Sequence, residues 1–158
     1  YPDVINAIGK ERYIDFLEEI NAKNNMIACG YVSEVMELMK QRGITYTYFI
    51  SYSDPEYEIE NLLDLNLSKE NIVRMRTKRR TDALNRRYDT WEKRVKLVRE
   101  SGIKASLYAV AEIASKEDML ERKNAGMDGA IVGNSLMRLW DDENALMKLL
   151  DDFQSTVE

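Results

Sequence analysis

Histidine is absent from these 158 residues, and cysteine occurs once, at Cys29. The first absence removes the commonest general base and the commonest neutral metal ligand. Ser-His, Cys-His and His-metal schemes are therefore excluded within the chain. The second removes any internal disulfide and any thiolate metal cluster, so no metal site is expected. Cys29 follows Met26, Ile27 and Ala28 and is expected to be a buried structural thiol, suited to a reduced, cytoplasmic setting. No apolar run approaches the roughly 20 residues of a membrane-spanning helix, so no membrane partner is expected. Proline is scarce, at two residues, and the net charge of −5 makes no global case for nucleic acid.

What is present is a repeated step. Gly43-Ile44, Gly102-Ile103 and Gly126-Met127 each follow a charged amphipathic stretch and precede an apolar segment. Glycine suits the position just past a helix because it takes positive φ without a Cβ clash. Helix, glycine, buried strand, repeated, is the pattern of βα units around a parallel sheet. The spacing predicts a first helix near 10–23, then strands at 26–31, 44–52, 72–75, 105–111 and 130–132. Helices are expected after Ser33, from Asp54-Pro55, over 89–100 behind Asp89 or Thr90, over 116–125 behind Ser115, and over 143–153. Ile59, Leu62 and Leu63, then Trp91, Val95, Leu97 and Val98, then Leu146, Leu149, Leu150 and Phe153 are the expected inner faces. A single α/β domain over 1–158 results. It is either part of a (βα)8 barrel, a fold of about 250 residues, or a five-stranded, doubly wound, flavodoxin-like sheet. Either fold places function at the strand C-termini.

Three features there could carry chemistry. Val132-Gly133-Asn134-Ser135 follows the last strand. It is either a backbone cradle for phosphate or a plain strand-to-helix turn capped by Asn134 or Ser135. Arg74, Arg76, Lys78, Arg79, Arg80, Arg86 and Arg87 crowd one stretch of an acidic chain. They either clamp phosphate or carboxylate or form a solvated loop. Arg74 and Arg76 share one strand face by parity, so that face must be wet, paired or at an interface. Glu112, past the fourth strand, is either a general acid/base or a surface carboxylate serving the arginines. Tyr46, Tyr48 and Tyr52 also share a face, as packing residues.

Taken in order, these segments resemble the tryptophan synthase alpha chain, a (βα)8 barrel lyase. Glu11-Arg12-Tyr13 stands where that family has Glu-Arg-Phe. Gly43-Ile44 leads through Phe49-Ile50-Ser51 to Asp54-Pro55-Glu56, as the family's Gly-Ile step leads through a strand to its Pro-Thr-Thr-Pro-Glu. Lys78-Arg79-Arg80-Thr81-Asp82-Ala83 matches a Thr-Gly-x-Thr-Gly-Ala loop, and Ala111-Glu112-Ile113-Ala114-Ser115 a Gly-Phe-Gly-Ile-Ser turn. Asp128-Gly129-Ala130-Ile131-Val132-Gly133-Asn134-Ser135 matches Asp-Gly-x-Ile-Val-Gly-Ser-Ala. Gly133 to Arg138 is also similar to the end of indole-glycerol-phosphate synthase.

The resemblance implies the C-terminal part of a barrel, with further βα units ahead of Tyr1. It implies a phosphorylated small molecule held by Gly133, Asn134, Ser135, Arg79, Arg80 and Thr81, with Glu112 moving a proton and no cofactor. The family's catalytic carboxylates lie in βα units this chain does not contain. Of its phosphate-loop glycines only Gly133 remains; Arg79, Asp82, Ala111 and Ile113 replace the others. The site is thus degraded, and Asp82 would repel an anion. The expected protein is a divergent carbon–carbon lyase or a phosphate-ester binding protein. The alternatives are a non-catalytic scaffold with a protein partner or homo-oligomer, and a glycerophosphodiester-phosphodiesterase-like half barrel.

Overall fold

The computed structural model describes residues 2–24, 28–29, 33–44, 46–50, 55–76, 90–110 and 113–157. The chain divides into two compact units, Tyr1–Phe49 and Ile50–Glu158.

The first unit holds α1 (Pro2–Ile8), α2 (Lys10–Asn24), β1 (Ala28–Cys29) and α3 (Ser33–Gln41), and β2 (Tyr46–Ile50) reaches its boundary. β1 and β2 pair in parallel, Ala28 with Tyr46 and Cys29 with Thr47. Ile5, Tyr13, Ile14, Val35, Met39 and Ile44 form its core, with Leu17, Leu38 and Tyr46 packed against it. α2 was expected from its periodicity. α1 was not, because seven residues give too few turns to show a period; it is held by Ile5 joining the core of its neighbours. Arg42, just past α3, binds Glu11, Asp15 and Glu18 on α2 at 2.8, 2.5 and 3.1 Å. These carboxylates share one face of α2, and the guanidinium ties that face to the end of α3. Tyr48 donates its hydroxyl to that of Tyr46 at 3.2 Å. Burial, aided by that bond, pushes the Tyr48 phenol well above its usual range. The two rings share a face as the alternation required. Tyr52 and the Cys29 side chain lie outside the described residues.

The second unit holds α4 (Pro55–Leu63), β3 (Ile72–Met75), α5 (Trp91–Glu100), β4 (Ser106–Val110), α6 (Lys116–Asn124), β5 (Gly129–Ile131), α7 (Asn134–Met137) and α8 (Glu143–Gln154). Strands β3, β4 and β5 pair in parallel and in chain order. The protein is thus an α/β fold of alternating strands and helices with parallel pairing throughout the described strands. Pro55 begins α4 as expected of a residue lacking an N–H at a first helical position. Thr90 caps α5 by accepting from Lys93 N–H. Ser115 and Asp118 form a reciprocal capping box on α6. At the far end of α6, Gly126 has φ 91°. Its N–H donates to Lys123 O, and Met127 N–H donates to Arg122 O, a paired closure that only a left-handed residue permits.

The inner faces are narrower than the sequence suggested. Ile59, Leu62, Trp91, Val95, Val98 and Phe153 are buried, while Leu63 and Leu150 are exposed and Leu97, Leu146 and Leu149 half-buried. Leucine at helical spacing does not distinguish a stripe's centre from its rim. Two arginines enter the interior instead. Arg94 is 1% exposed. Arg122 lies with its guanidinium carbon 5.2 Å from the centre of the Trp91 ring. It also donates to the Asp118 carbonyl at 2.9 Å and to Glu121 at 2.5 Å. This joins α5 to α6, which also meet where Val95 packs on Gly126.

The Asp118 carboxyl has a pKa below the usual carboxylate range. Burial pushes it up, but N–H donation from Ala114, the capping contact with Ser115 and the Arg122 charge outweigh that. A depressed folded-state pKa contributes stability above the unfolded value, which is lost as pH falls through the folded one. Melting temperature should therefore fall as the medium is acidified below about pH 4. Asp118→Asn should start lower at neutral pH and show a shallower acid limb in a series of melts. An unchanged limb would refute the assignment.

Candidate functional site

The sheet of the second unit has two unlike faces. Val73, Met75, Leu107 and Ala109 are all 0% exposed and form the dry one. Successive parallel connections run in the same direction along the sheet, so the right-handed crossover rule puts α5 and α6 on one side. Their mutual contact agrees, and the full burial of the dry face assigns them to it.

The opposite face carries Ile72 and Arg74 from β3, Ser106, Tyr108 and Val110 from β4, and Gly129 and Ile131 from β5, and the alternation continued one residue past β3 assigns Arg76 to it. Register aligns Arg74, Tyr108 and Gly129 in one row, and Val110 with Ile131 in the next. Arg76 follows the last β3 residue, so it stands at the C-terminal end of that second row. This face is half-open: Ser106, Tyr108 and Val110 are half-buried and Ile131 is exposed. Arg74 is 9% exposed, and the Nε of Arg76 is buried with no hydrogen bond among the described residues.

Tyr108 reaches sideways. A Cβ built on Gly129 would lie 2.7 Å from Tyr108 Cζ, 2.9 Å from Cε2 and 3.0 Å from Cε1. Such even approach to three ring atoms means that Gly129 meets the ring's face, not its edge. The ring lies flat over β5, and only a glycine admits it. Sequence reasoning quoted Gly129 as part of a motif and passed over Tyr108. The available signal was the alternation Ser106, Tyr108, Val110, which turns the tyrosine to the arginine side.

The strand C-termini form one rim because the pairing is parallel. Arg76 leaves β3 there, and Gly133 leaves β5 there two strands away, about 10 Å by strand spacing. Gly133 precedes α7 with φ −129° and ψ −71°, makes no side-chain cap, and has open space where a Cβ would stand. Neither Asn134 nor Ser135 is the cap: both lie within α7. Ser135 donates its hydroxyl to the Ile113 carbonyl, so it ties α7 to the residues after β4. Asn134 is exposed. α7 is only four residues long, so what it can offer an anion is the first-turn N–H groups and little dipole. Arg79, Arg80, Thr81 and Glu112 lie outside the described residues.

The other end of the strands is committed to structure. Arg99 donates to the carbonyls of Ile103 and Ala105 at 3.2 and 2.7 Å and to Asp128 at 2.6 Å. Asp128 also accepts from Leu107 N–H at 2.8 Å. The aspartate of the Asp128-Gly129 motif is thus a clamp joining α5 to the starts of β4 and β5. A shallow cavity of about 670 Å³ surrounds it, lined by Ser68, Lys69, Lys104 and Gly126 among others.

Among the described residues, no group of three His, Cys, Asp or Glu side chains could hold a metal ion. Among them, too, no helix is long and apolar enough to cross a membrane. The chain matches no known family model and no curated protein sequence. The half-open face thus carries two guanidinium groups and one phenol, all hydrogen-bond donors.

Proposed function

We propose that the protein binds a phosphorylated small molecule at the C-terminal rim of its strands, on a scaffold of the (βα)8 barrel type resembling the tryptophan synthase alpha chain. The observation that carries this reading is the placing of Arg74 and Arg76 on the sheet face opposite the helices, with Arg76 at the same rim as the Gly133 turn. The planar fork of a guanidinium matches phosphate. Strand order β3-β4-β5 with both helices on one side supports a barrel wall. In this reading Arg79, Arg80 and Thr81, which follow Arg76 in the sequence, are further anion-binding residues, and the amides of Gly133, Asn134 and Ser135 complete the set. In the lyase form of this reading Glu112 is the proton-transfer group, working with acid/base groups from outside this chain.

A thermal-shift series with sugar phosphates tests the binding. A ligand at a hundred times its Kd adds about 2.7 kcal/mol to stability, which raises the melting temperature by several degrees for a chain of this size. Arg76→Ala should abolish that rise while leaving the ligand-free melt within about a degree. No rise at millimolar concentrations of any sugar phosphate would overturn the reading.

A second reading, association with another protein or a second copy, is favoured by one observation. Met137 and Trp140, at and just past the end of α7, are 72% and 73% exposed. Light scattering across a concentration series decides it: a concentration-independent monomer removes the homo-oligomer.

A further inference from the structure

The flat ring of Tyr108 has a use that phosphate binding alone does not require. One ring face rests on Gly129; the other is turned away from the strands, toward the half-open side. Side chains stand roughly perpendicular to a sheet, so a tyrosine laid along it is unusual. Its posture depends on the missing Cβ at position 129. The result is an aromatic surface over β5, in the row of Arg74 and two strands from β3. By strand spacing and rise, that surface is about 12 Å from the Cα of Arg76. An extended arginine side chain covers about half of that distance, so an anion on the guanidinium and a ring on the phenol face sit a spacer the size of a sugar apart.

We propose that Tyr108 is a stacking platform, and that the ligand of this face joins a planar heteroaromatic ring to an anionic group through a short spacer, as a nucleoside monophosphate does. The inference rests on the anion-binding reading above and adds the ring. Gly129 is the positioning residue: it holds the platform flat. Face-to-face stacking on an aromatic side chain is tolerant of ring identity, so the platform selects a ring without selecting one base.

The test compares adenosine 5′-monophosphate with ribose 5-phosphate by titration calorimetry on the intact chain. The two share the anion and the sugar and differ in the ring. The nucleotide should bind about 5- to 100-fold tighter. Tyr108→Ala should bring the two affinities together while ribose 5-phosphate binds as before. Tyr108→Phe, which keeps the ring and drops the hydroxyl, should preserve the preference and shows that the fold is intact. Equal affinities in the parent protein, or a preference that survives Tyr108→Ala, overturn the platform and leave the anion site standing. A preference lost in Tyr108→Phe also overturns it, since the phenol and not the ring face would then be the contact. Binding of neither compound overturns both readings.

Discussion

Trp91→Ala should destabilise the second unit by about 3–5 kcal/mol, the range for emptying a buried aromatic site. Trp91 is the first residue of α5 and is 4% exposed. It has two duties. Its ring is buried in the interior, and its π face receives the Arg122 guanidinium. Removing the ring leaves a cavity and withdraws a partner from a cation whose side chain is 6% exposed. A cation–π contact of that kind is worth about 0.5–2 kcal/mol on its own. Trp91→Phe retains a smaller face and much of the volume and should cost less than half as much. Urea unfolding monitored by far-ultraviolet dichroism measures both. Trp91→Ala within 1 kcal/mol of the parent would mean that α5 is not packed as described.

The second large effect is at Gly129. Gly129→Ala places a methyl group inside the Tyr108 ring contact, 2.7 Å from Cζ and 2.9 Å from Cε2, closer than a Cβ normally approaches another atom. The ring must lift, or β5 must shift against β4. Overpacking of this kind typically costs about 1–3 kcal/mol. The cost belongs to one pair, so it should vanish when the partner is removed. In the double variant Gly129→Ala/Tyr108→Ala the alanine at 129 should be neutral to within about 0.5 kcal/mol. The coupling energy of the cycle then equals most of the single-variant loss. A penalty that persists without the tyrosine ring would place the strain in the backbone and not in the contact. The lifted ring would also swing from β5 toward the Arg74 side, so Gly129→Ala should weaken nucleotide binding as well as stability.

Much of the fold was legible before any coordinates. The three helix-glycine-strand steps placed β2, β4 and β5 to within a few residues, because a Schellman-type closure needs a left-handed residue and an apolar one after it. Ser115 with Asp118, and Pro55 at the head of α4, marked helix starts for equally local reasons. Local signals failed where the deciding partner is distant in sequence. Arg94 and Arg122 stand on charged helices with no local sign of burial, yet both are buried. For Arg122 the reason is visible: Trp91, Asp118 and Glu121 surround it, and the tryptophan comes from another helix. Ser135 read as a phosphate donor or cap, but its hydroxyl is given to Ile113.

The amino-acid order alone determined the alternation of helices and strands and the parallel character of the sheet. Each of these follows from a period or from a residue's own backbone limits, which neighbours in the chain carry with them. Only the folded arrangement decided that the face carrying Arg74 is the one the helices leave open, that Arg76 and Gly133 share a rim, and that Tyr108 lies down on Gly129. Those depend on which strands lie side by side and at what register, and register is a property of the assembled sheet.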